Sequence, residues 1–319
     1  MAQAAPGHAP RVSIGLPVHN GGAFLAEALD HLLAQRFADL ELIVSDNGSV
    51  DDTERICRAY AERDPRVRYF REEVNRGATW NHNRVIALAR GEYFKLAAHD
   101  DLCLPDFVGR CVEVLEREPD AVLCYPRVAI VDAAGRRVRP YRYDWTAGSP
   151  RVRERLRAVT GLRRRCFPVF GVVRTEVLRR TRLMGPYVAS DRVLLGELAL
   201  HGRLVELGEE LFWSREHQGR STRAHGVRNG RTAWFDPGRR ARVVLPVWKQ
   251  GVEFVRAIRR TPLPRGERAA CYAEMLRWAG RHHRSLGKDA VLVVPQLARL
   301  LRGVAATGGR GRPAGGQAT

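Results

Sequence analysis

Cysteines are few and far apart: the six in 319 residues stand at 57, 103, 111, 124, 166 and 271, and none forms a Cys-x-x-Cys pair. That spacing gives no support to a zinc ribbon or a dithiol redox motif, and it reads as six small hydrophobes in a reducing compartment. The first ten residues have neither the basic start nor the apolar core of a secretory signal. Long apolar runs are missing too. The most apolar late stretch, residues 290–306, is interrupted by Pro295, Gln296, Arg299 and Arg302, too short and too charged to span a bilayer. These absences place the expected protein in the cytoplasm. No internal repeat is present.

Acidic residues are scarce in the last third. Residues 220–319 hold 5 Asp and Glu against 21 Lys and Arg, a net charge of +16, whereas the first 219 residues hold 30 against 33. The sequence is thus a nearly neutral body with a strongly basic extension. Such a segment suits an anionic surface: the inner leaflet of a membrane, where each nearby cation contributes about 1 kcal/mol, or a polyanionic acceptor. A nucleic-acid partner is the competing reading of so basic a chain. No helix-turn-helix, zinc spacing or aromatic RNA motif supports a specific one. Hydrophobic content of 45% and charged content of 28% are ordinary for a soluble globular chain.

The first half alternates strand and helix. Residues 11–18 read as a buried strand closed by His19-Asn20-Gly21-Gly22, and Leu25, Ala28, Leu29, Leu32 and Leu33 then recur at helical spacing. A second strand, residues 40–45, ends in Asp46-Asn47-Gly48-Ser49, and Asp51 and Asp52 open a helix where carboxylates suit its positive end. Residues 67–70 form a third strand, about 79–89 a helix, and 93–98 a fourth strand running into His99-Asp100-Asp101. This alternation predicts a mostly parallel α/β sheet flanked by helices, whose ligands sit at the carboxyl ends of the strands. All three polar clusters fall at such ends. Further on, a helix to Arg117, strands at 121–126 and 128–131, and an Arg-rich loop with one helix over 136–165 are expected. Residues 169–173 then read as a strand, 176–180 and 191–201 as helices, and 202–207 lead into a strand. Helix-spaced apolar residues fill 241–260 and 264–283, and the Gly- and Arg-rich end reads as disordered.

Adjacent carboxylates such as Asp100 and Asp101 repel each other unless donors or a cation neutralise them. A hard divalent ion shared with a pyrophosphate would do so, and a solvated helix cap is the plainer alternative. A carboxylate that opens a turn, as Asp46 does, is usually turn chemistry alone, and its place at a neighbouring strand end makes base or ribose recognition the second reading.

The motifs together resemble family 2 glycosyltransferases of the GT-A fold. Leu16-Pro17-Val18-His19-Asn20 resembles that family's opening P-x-Y/H-N, and Ile43-Val44-Ser45-Asp46-Asn47-Gly48-Ser49-Val50-Asp51-Asp52-Thr53 its V-D-D-G-S-T-D-D-T segment. Asn75-Arg76-Gly77, Asn83 and Ala89-Arg90-Gly91-Glu92-Tyr93 are similar to N-x-G…A-R-N…A-x-G-E-Y. Ala98-His99-Asp100-Asp101 with Pro105-Asp106 falls where the family has D-x-D-D…P-D. Four matches in order cover residues 11–107. In the acceptor half, Ser190-Asp191-Arg192 looks like E-D-x-x-L, and Arg215-Glu216-His217 with Ser221 resembles R-x-H…S.

The resemblance implies a GT-A, Rossmann-like fold with a nucleotide-sugar donor, Mg²⁺ or Mn²⁺, and inverting transfer to a glycan, lipid-linked or small-molecule acceptor hydroxyl. By it, Pro17, His19, Asn20, Gly48 and Asn83 belong to the nucleotide-sugar pocket and Asp46 meets the base. Asp100 holds the metal with Asp101 as a nearby ligand, His217 completes the metal shell or contacts phosphate, and Arg215 steadies the leaving diphosphate. Asp191 is the general base; an acceptor hydroxyl has a pKa far above 7, so a carboxylate must take its proton during attack. The chain departs from the family at Ala98, where a metal carboxylate is usual, and at Ser190, where a Glu is usual. Those departures leave a non-catalytic nucleotide-sugar binder as the alternative. The expected division is a flexible start at 1–10, a donor half at 11–130, an acceptor half at 131–220, a basic helical extension at 221–303 touching the inner membrane face, and a disordered tail at 304–319.

Overall fold

The computed structural model describes residues 9–143, 147–162, 165–219, 245–291 and 293. The expected tail at 304–319, the start at 1–8 and the first part of the extension, 221–244, lie outside the described residues.

Strands β1 (Val12–Val18), β2 (Leu40–Asn47), β3 (Val67–Glu72) and β4 (Tyr93–Leu96) form the parallel half of one sheet, in the order β3-β2-β1-β4. β1 is apolar and almost wholly buried and every residue of β2 is buried, the mark of strands covered on both faces. The crossovers are α1 (Leu25–Leu33), α2 (Thr53–Arg63) and α3 (Ala78–Leu88). α1 buries Leu25, Ala28, Leu29 and Leu32, the residues whose spacing marks the helix. α2 begins where Asp51 accepts bonds from the Thr53 amide and hydroxyl, at 3.1 and 2.6 Å.

After β4 come a two-residue strand β5 (Leu102–Cys103), α4 (Phe107–Arg117), β6 (Ala121–Val131), β7 (Arg137–Tyr141) and α5 (Val152–Gly161). Then follow a 3₁₀ turn (Phe167–Phe170), β8 (Val172–Arg174), α6 (Thr175–Arg180), α7 (Ser190–His201) and β9 (Arg203–Arg215). Here the sheet mixes directions: β8 is antiparallel to β4 and β6, whereas β9 runs parallel to β6. Two expectations are corrected. The strands expected at 121–126 and 128–131 are one strand, broken only by register shifts around Arg127 next to Pro126, which has no N–H for the ladder. The expected Arg-rich loop contains β7, an outer strand carrying Pro140, which suits a sheet edge.

The described part of the extension is helical: α8 (Pro246–Arg260), α9 (Arg265–Arg281) and α10 (His283–Val291). Its buried Phe254, Ile258, Cys271, Met275 and Trp278 cluster with Leu156 of α5 and with Val193 and Leu200 of α7. A Cβ on Gly196 of α7 would fall 2.5 Å from the Phe254 ring, so α8 packs where α7 has no side chain. Among the described residues no helix is long and apolar enough to cross a membrane. Phe254 has no exposed surface, so Phe254→Ala is expected to destabilise the protein by about 3–5 kcal/mol. Urea unfolding followed by circular dichroism checks this, and an unchanged midpoint would show that α8 is not part of the cooperative core.

Candidate functional site

The parallel strands deliver their carboxyl-end loops to one side, and these loops are knitted together. After β1, the Asn20 amide bonds Ser49 Oγ at 2.9 Å, and Asn20 Oδ1 accepts the Val50 amide at 3.0 Å. The Gly21 amide donates to Thr53 Oγ1 and the Gly22 amide to Asp51, both at 2.9 Å. Behind them, the Asn81 amide bridges the carbonyls of Val18 and Ser45 at 3.2 and 2.9 Å. Pro17 is half-buried at the strand end, and His19 and Asn20 are exposed, the latter with a left-handed backbone at φ 53°. Gly48 has φ 72°, and a Cβ there would lie 2.8 Å from the Val74 carbonyl carbon, so the turn admits only glycine without a shift.

Asp46 is the buried anchor of this turn. One carboxylate oxygen accepts the Ser49 amide and the other the Tyr69 hydroxyl, both at 2.9 Å, with Arg71 Nε 3.4 Å away. Burial and the bond to Asp46 push the Tyr69 hydroxyl well above its ordinary range. Burial next to Asp46, Asp51 and Glu54 pushes the Cys57 thiol up to about 12, leaving it protonated and inert. Asp46 has no exposed surface, so a base reaches it only where the turn opens. This corrects the expectation of a directly presented base ligand.

The second cluster lies beyond β4. His217, just past β9, brings Nε2 to 2.9 Å from Asp100 Oδ2. Asp101 turns to the chain instead, accepting the Arg215 amide at 2.9 Å. No group of three or more His, Cys, Asp or Glu is gathered as a ligand set among the described residues. Asp100 and His217 are thus brought together, and Asp101 lies beside them, bonded to the end of β9. Such a pair fits Mg²⁺ or Mn²⁺, since hard cations of this kind are held by one or two protein groups plus substrate phosphates and water. Arg215 also departs from expectation. Its side chain is 1% exposed, with Nε on the Asp100 carbonyl at 3.0 Å, one terminal nitrogen on the Ala133 carbonyl at 2.7 Å and the other on Glu27 at 2.6 Å. A guanidinium so enclosed works as a staple and is not presented to a diphosphate. The two clusters meet where a Cβ on Gly21 would sit 2.9 Å from the His99 ring.

Asp191 lies in the first turn of α7, half-buried, accepting the Arg192 amide at 2.8 Å. The residue before the helix, Ala189, is left-handed at φ 65°, and Leu183 likewise at 56°. Strain of this kind persists only where surroundings enforce it. One enforcing contact is Asn83, whose side chain gives its amide to the Met184 carbonyl at 2.9 Å and accepts the Met184 amide at 3.0 Å. Asn83 thus holds the loop leading to Asp191. Two neighbours of Asp191 carry no signal in the sequence patterns. Burial pushes the Cys166 thiol well up, and Asp191 adds to that. Burial pushes His82 below its ordinary value while Asp191 opposes this. Five of the six cysteines are buried and Cys166 is half-buried, and all six are free.

Residues 13–183 match the family model described as glycosyl transferase family 2. The chain belongs to that family. It is 33% identical over 113 residues to the glycosyltransferase GlyG of Streptococcus pneumoniae, covering 35% of this chain and 38% of the relative. Over 139 residues it is 37% identical to an uncharacterized protein, y4gI, of Sinorhizobium fredii, covering 43% of this chain and 15% of that one. The chain therefore spans well under two thirds of these relatives. Among solved structures, S. aureus TarS 1-349 superposes with a TM-score of 0.62 at 17% identity, covering 91% of this chain and 79% of TarS. Mannosyltransferase PcManGT from Pyrobaculum calidifontis, in complex with GDP-Man and Mn²⁺, gives 0.54 at 20%, covering 96% and 82%. At such identities the likeness shows a shared fold, and that fold is GT-A.

His82 generates a pH prediction. Its folded pKa lies below the unfolded value of about 6.5. As pH falls, the unfolded chain binds the proton first, so stability is full above about pH 6.5 and declines below it. Thermal melts from pH 7.5 to 5.5 should show His82→Gln losing less stability than the wild type; parallel losses would remove His82 from the effect.

Proposed function

We propose that the chain transfers a glycosyl residue from a nucleoside-diphosphate sugar to an acceptor hydroxyl, with inversion at the anomeric carbon. The observation that carries this reading is the Asp100–His217 pair at 2.9 Å, placed at the strand-end loops of a family 2 scaffold. The donor lies across residues 17–22 and 46–49: Pro17, His19, Asn20 and Gly48 shape its pocket, and Asp46 meets the base once the turn opens. Asp100 and His217 would hold Mg²⁺ or Mn²⁺, which would supply positive charge to neutralise the departing diphosphate. Asp191 takes the acceptor proton as the new oxygen–carbon bond forms and the bond to the diphosphate breaks, a single displacement that inverts the centre. Support comes from TarS, which has been crystallised in complex with UDP-GlcNAc, and from PcManGT with GDP-Man and Mn²⁺.

On this reading residues 11–130 form the donor half and 131–220 the acceptor half. Thermal shift with UDP-, GDP- and dTDP-sugars, each with Mn²⁺, Mg²⁺ or EDTA, tests the donor site. One nucleotide class should stabilise the protein, only with metal, and Asp100→Ala should abolish the shift. Asp191→Asn should keep binding and lower turnover about 10²- to 10⁴-fold. If no nucleotide sugar binds under any condition, the donor site is misassigned and the chain is a non-catalytic relative.

The acceptor belongs to polysaccharide, glycolipid or cell-envelope glycan synthesis, reached from the cytoplasmic face. The extension over 221–303 brings the enzyme to an anionic leaflet. Trp248, Val252 and Val255, 47%, 41% and 41% exposed, form an outward apolar stripe on α8, flanked by the exposed Arg256 and Arg259. This is an arrangement for lying on a charged interface. Flotation with vesicles containing phosphatidylserine should recover the protein at low salt and lose it at high salt. Equal recovery with neutral vesicles, or none at all, would end the membrane reading.

A further inference from the structure

Arg215 is buried deeply, yet one of its partners comes from the outside of the site. The first residues of α1 supply it. Phe24, at the amino end of that helix, sets its ring 4.9 Å from the Arg215 guanidinium carbon and 4.6 Å from the His217 ring. Glu27 lies three residues on, hence on the same helix face, and accepts the Arg215 terminal nitrogen at 2.6 Å. The turn after β6 closes over this pair: a Cβ on Gly135 would fall 3.3 Å from Glu27 Oε1 and 3.6 Å from an Arg215 nitrogen. α1 is also the helix that follows the loop of residues 19–22.

We infer that Phe24 and Glu27 are positioning residues that, through Arg215, hold His217 against Asp100 and join the 19–22 loop to that pair. The metal-facing part of this statement rests on the reading in the preceding subsection. The physical ground is the cost of a buried cation. An enclosed guanidinium that loses a carboxylate partner is held at a cost, so without Glu27 the hold on the Arg215 side chain weakens. Arg215 cannot leave alone. Its own amide is bonded to Asp101 and its Nε to the Asp100 carbonyl, and the next amide, Glu216, donates to the Val131 carbonyl at 2.9 Å. Withdrawal of the side chain therefore loosens the end of β9 and carries His217, two residues on, away from Asp100. Phe24 backs both the Arg215 guanidinium and the His217 ring, so its removal opens the same space from the opposite side.

Hydrogen exchange on the protein without donor or metal tests the positioning role directly. In Glu27→Ala the amides of Arg215 and Glu216 should lose protection while β1 and β2 keep theirs, and Glu27→Gln, which retains an acceptor oxygen, should restore part of it. In a second measurement, Mn²⁺ titration in the presence of UDP, Glu27→Ala should weaken metal binding about 10- to 100-fold. Phe24→Leu gives the same pair of readouts should Glu27→Ala not fold. Unchanged protection at Arg215 and Glu216, or faster exchange spread evenly over the sheet, would overturn the inference. Should the wild type bind neither Mn²⁺ nor nucleotide, the transferase reading fails, while the exchange result still decides the positioning role.

Discussion

The site depends on keeping three carboxylates buried at the ends of parallel strands. Asp46, Asp100 and Asp101 are 0%, 8% and 4% exposed, and a buried carboxylate is costly unless donors or cations meet it. Each is met by a different element. Asp46 draws on its own turn and on Tyr69 and Arg71 of β3; Asp101 draws on the backbone of β9; Asp100 draws on His217 beyond it. Satisfying these charges ties the end of β2 to β3 and the loop after β4 to the end of β9. The sheet supplies the positions, and the charges select the registers.

The two parts of the site are held differently. The loops after β1 and β2 are joined by a lattice of short backbone and side-chain bonds among residues 18–53. The approach to Asp191 is built on left-handed Leu183 and Ala189, an Asn83 clamp and a helix, α7, whose other face is packed by the extension. Its strain is concentrated immediately before Asp191. The helix that carries Asp191 is packed by α5, α8 and α9. The basic extension is thus tied mechanically to α7, since Phe254 packs on Gly196, five residues after Asp191.

Much of the donor half was legible in the residues. Buried strands, amphipathic helices and polar turns alternate there, and each of these patterns is local. Asp46, Asp100 and the loop at 19–22 could be placed by that logic. What stayed hidden is what depends on register. Asp46 stands opposite Arg71 only because β2 and β3 pair in parallel with that alignment, and nothing in residues 67–72 alone marks Tyr69 and Arg71 as its partners. Arg215 was misread for a related reason: an Arg beside a motif His suggests an exposed anion ligand, whereas Glu27, 188 positions away, makes it an internal ion pair. β7 was missed because Arg, Pro and Val in an exposed edge strand lack the alternation that marks a half-buried one.

The two departures from the family pattern bear differently on the chemistry. Ala98 removes a carboxylate from a place already crowded with charge, and Asp100 with His217 still offers an oxygen and a nitrogen to a cation whose remaining positions suit diphosphate oxygens and water. One negative charge fewer in the loop also reduces the repulsion that Asp100 and Asp101 must overcome. Ser190 acts on shape. It is fully buried, with its hydroxyl 3.8 Å from the Met184 sulfur, a contact a longer acidic side chain could not make in the same space. The loop at 183–189 therefore packs directly onto the start of α7.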